Sequence, residues 1–364
     1  MKRLQWVSVV VLLNLAFCWN SLAEGASAVT PWGPISEIQA AARREGSLVI
    51  YTAPGHAVPE SQRAISKTFG EEYGIRIDWT TLSGADIAPR VLAEQRTKQN
   101  AVDVVMSGIA GNYSELKPRG YVVPILAQST LEKGVWRLDP AAAMPKDRDW
   151  LFINMPLEAS FFINTDLVPA GTEPKSYQDL LDPKWKGKIV LMTPASGGSG
   201  SGWFRATYRK LGLDYMRALA KQVVLVPNHG DVERTVVRGQ YPIGLAPAGA
   251  GARQLIDQGA PAKQIHPKEG SHLSVNGIEM IANSPHPNAA KLFFQWFYSK
   301  EGQTTYARSN RVISVRKDVP QDYLPPDQRY YDGAPFMIAE PEDFTAESAN
   351  KLLTLGRQIF VEQK

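Results

Sequence analysis

Residues 188–203, KIVLMTPASGGSGSGW, carry an apolar strand into a glycine and serine turn that opens a helix over roughly 203–211. A strand, turn and helix in this order is the repeating unit of an α/β fold. The turn also has the makings of an anion cradle, because a helix start presents unpaired N–H groups and partial positive charge, and glycines let a ligand approach the backbone. Ser196, Gly197 and Gly198 are therefore candidate ligand contacts, with Ser199 and Ser201 as further hydroxyl donors. The stretch is not a nucleotide loop, since no lysine follows the glycines in a Gly-x-x-x-x-Gly-Lys pattern. It is not a nucleophile elbow either, since Ser199 has Gly197 before it but Ser201 where the second glycine belongs. The plain alternative is a flexible surface turn.

The same alternation extends on both sides of this unit. Helical patterns at 35–44, 58–73 and 85–98 alternate with strand patterns at 48–52, 75–82 and 102–107. This is βαβ logic, which implies a mostly parallel sheet with ligands settling beyond the carboxyl ends of its strands. Three loops follow strands here, so Thr52, His56, Ser83, Gly84, Ser107 and Gly108 join the candidates. His56 could donate a hydrogen bond to a carboxylate or phosphonate, whereas Ser83 and Ser107 could equally cap helices. A second series begins near Trp150, with strands at 151–154, 159–163, 223–226 and 243–246, two helices between 203 and 221, and a helix at 231–238. Within it His229, in an Asn-His-Gly turn before Asp231, and Gly249, in the loop 247–251, are the remaining candidates. A strand at 277–282 and an apolar helix carrying Leu292, Phe293, Trp296 and Phe297 follow, their spacing marking a buried face. The tail beyond Pro325 reads as irregular until a closing helix at 345–360.

The amino terminus points to export. Lys2 and Arg3 precede an apolar stretch from Trp6 to Trp19, and Ser21-Leu22-Ala23 supplies small residues for cleavage after residue 23, as in a secretory signal peptide. Bulky Phe17 before Cys18 disfavours a lipid anchor at that cysteine. The chain has 364 residues and a formal charge of +4, which falls to +2 once Lys2 and Arg3 leave with the signal. That balance argues against nucleic acid as a partner. Cys18 is the only cysteine, so the mature chain has no disulfide, thiolate metal site or cysteine nucleophile, which leaves five histidines as nitrogen ligands or bases, of which His266, His272 and His286 show no metal spacing. No cofactor is called for. Arg90, Arg205 and Arg253 fall on helix patterns and are assigned to solvated faces.

Four dispersed segments go further: 48–52 (LVIYT) with His56, 101–105 (AVDVV), 182–189 (DPKWKGKI), and 289–293 (AAKLF) leading into 301–303 (EGQ). Together they resemble the periplasmic solute-binding proteins of ABC importers, in the branch that includes ferric-iron, thiamine and polyamine receptors. The resemblance implies an α/β, two-lobed periplasmic-binding-protein fold of type II, each lobe a mostly parallel sheet flanked by helices. It implies lobe 1 at 32–150 and 272–325, lobe 2 at 151–271 and 326–364, and a hinge between them. It further implies a monomeric periplasmic receptor that catalyses nothing and hands a small solute to an inner-membrane ABC permease.

In the ferric-iron receptors a histidine, a carboxylate and two adjacent tyrosines bind the metal, and the turn matching Ser196-Gly197-Gly198 holds an accompanying anion. Here His56 matches the histidine, but Gly108 stands at the carboxylate position and Gly249-Ala250 at the tyrosine pair. Ferric iron favours anionic oxygen ligands, so the expected solute is a small organic anion of carboxylate or phosphonate type. A ferric receptor completed by exogenous anions is the alternative. A secreted hydrolase using Ser196 or Ser199 with a histidine base is a more distant one.

Overall fold

The computed structural model describes residues 29–362 apart from 31, 109–112, 114, 126–133, 141, 143–148, 159, 196–198, 248 and 332. The export signal read at 1–23 and the cradle residues Ser196, Gly197 and Gly198 lie outside the described residues. Among those described, no helix is long and apolar enough to cross a membrane.

Two sheets organise the chain. The first runs in the order Arg76–Thr81, Ser47–Thr52, Val104–Gly108 and Asn276–Ile281, with Val122–Val123 and Trp150–Phe152 both pairing against the last of these. The second runs Val223–Val226, Ile189–Met192, Ile243–Leu245, Phe161–Asn164 and Ala262–Ile265. In each sheet one strand opposes the direction of all the others: Asn276–Ile281 in the first and Phe161–Asn164 in the second.

The cause lies in a third, three-stranded ribbon of Leu157–Glu158, Ser271–Leu273 and Phe336–Met337. These segments carry the chain from the first sheet to the second, back again, and finally on to the helix Ala346–Arg357 beside the second core. The reversed strand of each sheet is the one entered directly from the ribbon. Its first residue pairs with the last residue of a forward strand, Asn276 with Gly108 and Phe161 with Leu245. The carboxyl ends of the forward strands in both sheets therefore face the ribbon, and the described residues that leave them, such as 53–58 and 193–195, start on that side.

Each lobe has its own apolar interior. The first packs Ile50, Val104 and Met106 against Phe293, Trp296 and Phe297, while the opposite sheet face packs Tyr51 and Val105 against Ile87 and Val91. Phe69 meets the Phe293 ring edge-on at 5.4 Å, and Leu292, Phe293, Trp296 and Phe297 are all buried as their spacing implied. The second interior gathers Phe161, Phe162, Val190, Leu191, Trp203, Phe204 and Phe360. Tyr330, Ala339 and Phe344, from the tail, pack with the first interior.

Three local expectations need correction. The helix after the glycine turn begins at Ser199, before Trp203; a break at Gly212 (φ 81°, ψ 175°) parts it from a second helical stretch to Ala220, in keeping with the two helices expected between 203 and 221. The loop at 247–251 is a loop only at its start, because a helix, Gly249–Asp257, takes over. Its first turn lies against the Glu233 carboxylate, which approaches Gly251 so closely that a Cβ there would sit 2.7 Å from Oε2. A carboxylate against a helix start is favoured by the positive end of the peptide dipoles. Finally, the turn before Asp231 is already helical from His229, and Asn228 caps that helix by accepting the Asp231 N–H at 2.9 Å.

Candidate functional site

On the first lobe the loop after Thr52 is held from behind by the helix Lys300–Asn310. The Tyr306 hydroxyl donates to the His56 carbonyl at 2.9 Å, the Asn310 amide donates to the Gly55 carbonyl at 3.1 Å, and the Val58 N–H donates to Asn310 Oδ1 at 2.9 Å. Gly55 supplies the left-handed backbone (φ 86°) that turns the loop. Tyr306 also accepts from Asn154 Nδ2 at 3.0 Å, and Asn154 Oδ1 receives Asn276 Nδ2 at 3.4 Å. Asn154 precedes one ribbon strand and Asn276 follows another, so the His56 loop is wired to both crossings.

The His56 ring is largely enclosed, and neither nitrogen has a partner at hydrogen-bond geometry among the described residues. Burial lowers its pKa, offset in part by the backbone of Pro54, the Asn276 side chain and the backbone of Ala53. The imidazole is thus neutral at neutral pH and carries a single ring N–H that can donate.

The other first-lobe candidates divide. Thr52 is fully buried and its hydroxyl donates to the Ala53 carbonyl at 3.3 Å, so only its backbone is available to the site. Ser107 is buried within its strand, with Gly108 exposed at the strand end. Ser83 precedes the helix Gly84–Thr97, but its hydroxyl donates to Asp86 at 2.6 Å rather than capping the backbone. Gly84 and Gly108 both have open space where a Cβ would stand.

On the second lobe the flanks of the glycine turn are well placed. Thr193 donates its N–H to the Val226 carbonyl at 2.9 Å, and Thr193 Oγ1 accepts the Ala195 N–H at 3.2 Å. Gly200 presses on the strand end so closely that a Cβ would fall 2.4 Å from the Thr193 carbonyl oxygen. A Cβ on Gly202 would stand 3.8 Å from Nε2 of His272 in the ribbon. The first helical turn is therefore wedged between its own strand and the hinge. His272 is buried and its pKa is pushed down to about 4, first by desolvation and then by the charge of Arg205.

Arg205 corrects the reading that placed it on a solvated face. It is 6% exposed, lies over the Phe344 ring at 5.4 Å, and reaches the Asp343 carbonyl at 3.4 Å. Arg209, one turn on, grips the buried Asp343 carboxylate through Nε at 3.0 Å and through Nη2. The solvated reading suits Arg90, which pairs with Glu94, and Arg253, which pairs with Asp257 at 2.7 Å. His229 is half-buried at the start of its helix, and Gly249 is the first residue of the next one.

Among the described residues no three His, Cys, Asp or Glu side chains converge as metal ligands. A Ser–His–Asp relay does occur, with Ser47 Oγ 3.0 Å from His286 Nε2 and His286 Nδ1 2.9 Å from Asp103 Oδ2. It sits at the amino-terminal edge of the first sheet, away from the cleft. The Glu45 carboxylate already occupies the neighbouring helix N–H groups of Asn288 (3.0 Å) and Ala289 (2.7 Å), where an oxyanion would need them.

Comparison with known proteins agrees with this geometry. Residues 64–329 match the model of the bacterial extracellular solute-binding protein family. An uncharacterized protein of Haemophilus influenzae is 24% identical over 274 residues, covering 73% of this chain and 77% of its own. A "Putative 2-aminoethylphosphonate-binding periplasmic protein" of Salmonella typhi is 24% identical over 275 residues, covering 72% and 75%. Among solved structures, the open ferric iron-binding protein A of Mannheimia haemolytica superposes with a TM-score of 0.70 at 17% identity, covering 86% of this chain and 98% of its own. The periplasmic binding protein AfuA of Actinobacillus pleuropneumoniae, with fructose-6-phosphate bound, gives 0.63 at 21%, covering 86% and 98%. Such likenesses establish the two-lobed type II periplasmic-binding-protein fold. The chain belongs to the bacterial extracellular solute-binding protein family and is a solute-binding receptor of an ABC importer, not an enzyme.

Proposed function

We propose that this receptor captures a small organic anion, of phosphonate or carboxylate type, between its lobes and closes on it about the three-stranded ribbon. The observation that carries this reading is the shared orientation of the two sheets: the His56 loop of one and the glycine-rich helix start of the other both open toward the ribbon. A closed state is favoured because only there does the solute touch both lobes. Ser196, Gly197 and Gly198, with the helix start behind them, hold the negative charge. His56 contributes from the first lobe, with Gly108, Ser83 and Gly84 at the rim; His229 and Gly249 open the second-lobe helices that follow strand ends. Thr52 and Ser107 shape the site through their backbone. The division into lobes falls at the crossings 157–158, 271–273 and 336–337. The chain is exported through a signal ending at residue 23, works as a monomer in the periplasm, and hands its solute to the inner-membrane permease.

The relative from Salmonella typhi makes phosphonates the first compounds to try. Equilibrium dialysis of the purified mature protein against a radiolabelled phosphonate or carboxylate should give one bound molecule per chain. The same preparation should not turn over activated esters. Failure of every organic anion to bind, with ferric ion retained instead, would reverse the assignment.

A further inference from the structure

Resting on that reading, we propose that Arg205 is the fixed positive charge of the anion site, acting through space from behind the first turn of the helix that begins at Ser199. Three second-lobe helices start after forward strands, at Ser199, His229 and Gly249. Two of them already have a carboxylate at the positive end of their peptide dipoles. Asp231 lies in the first turn of one, bonded to the Asn228 cap at 2.8 Å, and Glu233 lies against Gly251 of the other. The helix at Ser199 has no acidic residue in its first turn, and the charge set beside it is a cation. Arg205 stands three residues after Gly202 and four after Ser201, on the same helix face. Helical side chains lean toward the amino terminus, so the arginine lies along the turn that Ser201 and Gly202 form. His272 marks the same spot from the ribbon: a Cβ on Gly202 would stand 3.8 Å from its Nε2, and the Arg205 charge acts on that imidazole.

The guanidinium has no counter-ion of its own. Arg205 is 6% exposed, its Nε has no partner among the described residues, and its Nη1 meets the Asp343 main-chain carbonyl at 3.4 Å. The Asp343 carboxylate is committed elsewhere, to Arg209 Nε at 3.0 Å and to the Glu340 N–H at 3.0 Å. His272, held neutral, supplies no negative charge. Arg205 and Arg209 against Asp343 leave one positive charge in excess, and its buried member is Arg205. A buried cation is costly until an anion comes near it. At a rise of about 1.5 Å per residue, the backbone at Arg205 is about 9 Å from that at Ser199, a range at which an enclosed unit charge changes anion affinity about tenfold. The helix start supplies the N–H groups that the anion touches, and Arg205 supplies the net charge behind them.

Isothermal titration calorimetry of the mature protein at pH 7 with inorganic phosphate, ethylphosphonate and propionate tests this. For each anion that the parent binds, Arg205→Met should weaken binding about tenfold, and Arg205→Lys should stay within about threefold of the parent. Asp343→Asn removes the opposing charge, keeps an amide oxygen for the Glu340 N–H, and should tighten binding about threefold. The opposite signs are diagnostic, because damage to packing around the tail would weaken binding in both the Met and the Asn variants. Should Arg205→Met fail to fold, Arg205→Lys and Asp343→Asn decide by the same criteria. Parent-like binding by Arg205→Met, or weakened binding by Asp343→Asn, overturns the inference and leaves the organic-anion reading standing. Binding of none of the three anions by the parent overturns both.

Discussion

The hydroxyl of Tyr306 and the main-chain carbonyl of His56, far apart in the chain, meet at 2.9 Å, and this bond seats the His56 loop on the helix Lys300–Asn310. Tyr306→Phe keeps the ring in its buried place and removes one donor to His56 and one acceptor for Asn154. The expected outcome is a loss of about 1–2 kcal/mol in urea unfolding, together with weaker solute binding in a fluorescence titration. Stability lost without any change in binding would separate the loop from the site.

Two glycines make opposite predictions. Gly200→Ala would place a methyl 2.4 Å from the Thr193 carbonyl oxygen and push the helix start off its strand. It should cost about 1–3 kcal/mol and abolish binding. Gly108→Ala meets nothing within 4 Å. Its stability should stay within about 0.5 kcal/mol of the parent, and differential scanning calorimetry of the two variants side by side gives the comparison.

Acid stability follows from His272. Its pKa is lowered from 6.5 to about 4 in the fold, so below pH 6.5 the unfolded chain takes up a proton that the folded chain refuses. Stability should be intact above pH 6.5, fall as the pH drops toward 4, and level off below it, a loss of a few kcal/mol in all. His272→Gln should flatten this limb of a plot of unfolding free energy against pH. His56, lowered in the same direction, adds to the slope.

The opposite limb belongs to Glu279. This carboxyl is fully buried, neither oxygen has a partner among the described residues, and burial followed by the nearby charge of Asp149 raises its pKa from 4.5 to about 8. Asp149 is itself held by Lys117 and by Tyr113 at 3.2 Å. Glu279 therefore costs nothing below pH 4.5 and destabilises increasingly as the pH rises to 8. Glu279→Gln should raise the melting temperature at pH 8 and leave it nearly unchanged at pH 5.

Much of the architecture was legible because it is written locally. Apolar runs such as 223–226 sit between turn residues, and the strand at Val223–Val226 has the limits its sequence implied. The helix of Phe293 and Trp296 shows its buried face by spacing alone. The Asn154–Asn276–Tyr306 network was not legible, since those residues meet only after the chain has crossed between lobes twice. Polar residues flanking the crossings were the available signal. Arg205 was misjudged for a similar reason: the groups that bury it, Asp343 and Phe344, come from a tail without periodic pattern. Thr52 occupied the expected place but turns its hydroxyl inward, a detail set by the adjoining carbonyl rather than by any motif.

The most direct test is a thermal-shift series on the mature protein with phosphonates, carboxylates, phosphate, polyamines, thiamine and ferric salts. Binding to the folded state alone raises the melting temperature by mass action. The account predicts a rise with one class of organic anion that persists when a chelator is added. A rise seen with ferric salt and abolished by the chelator, with no response to any organic anion, would contradict it.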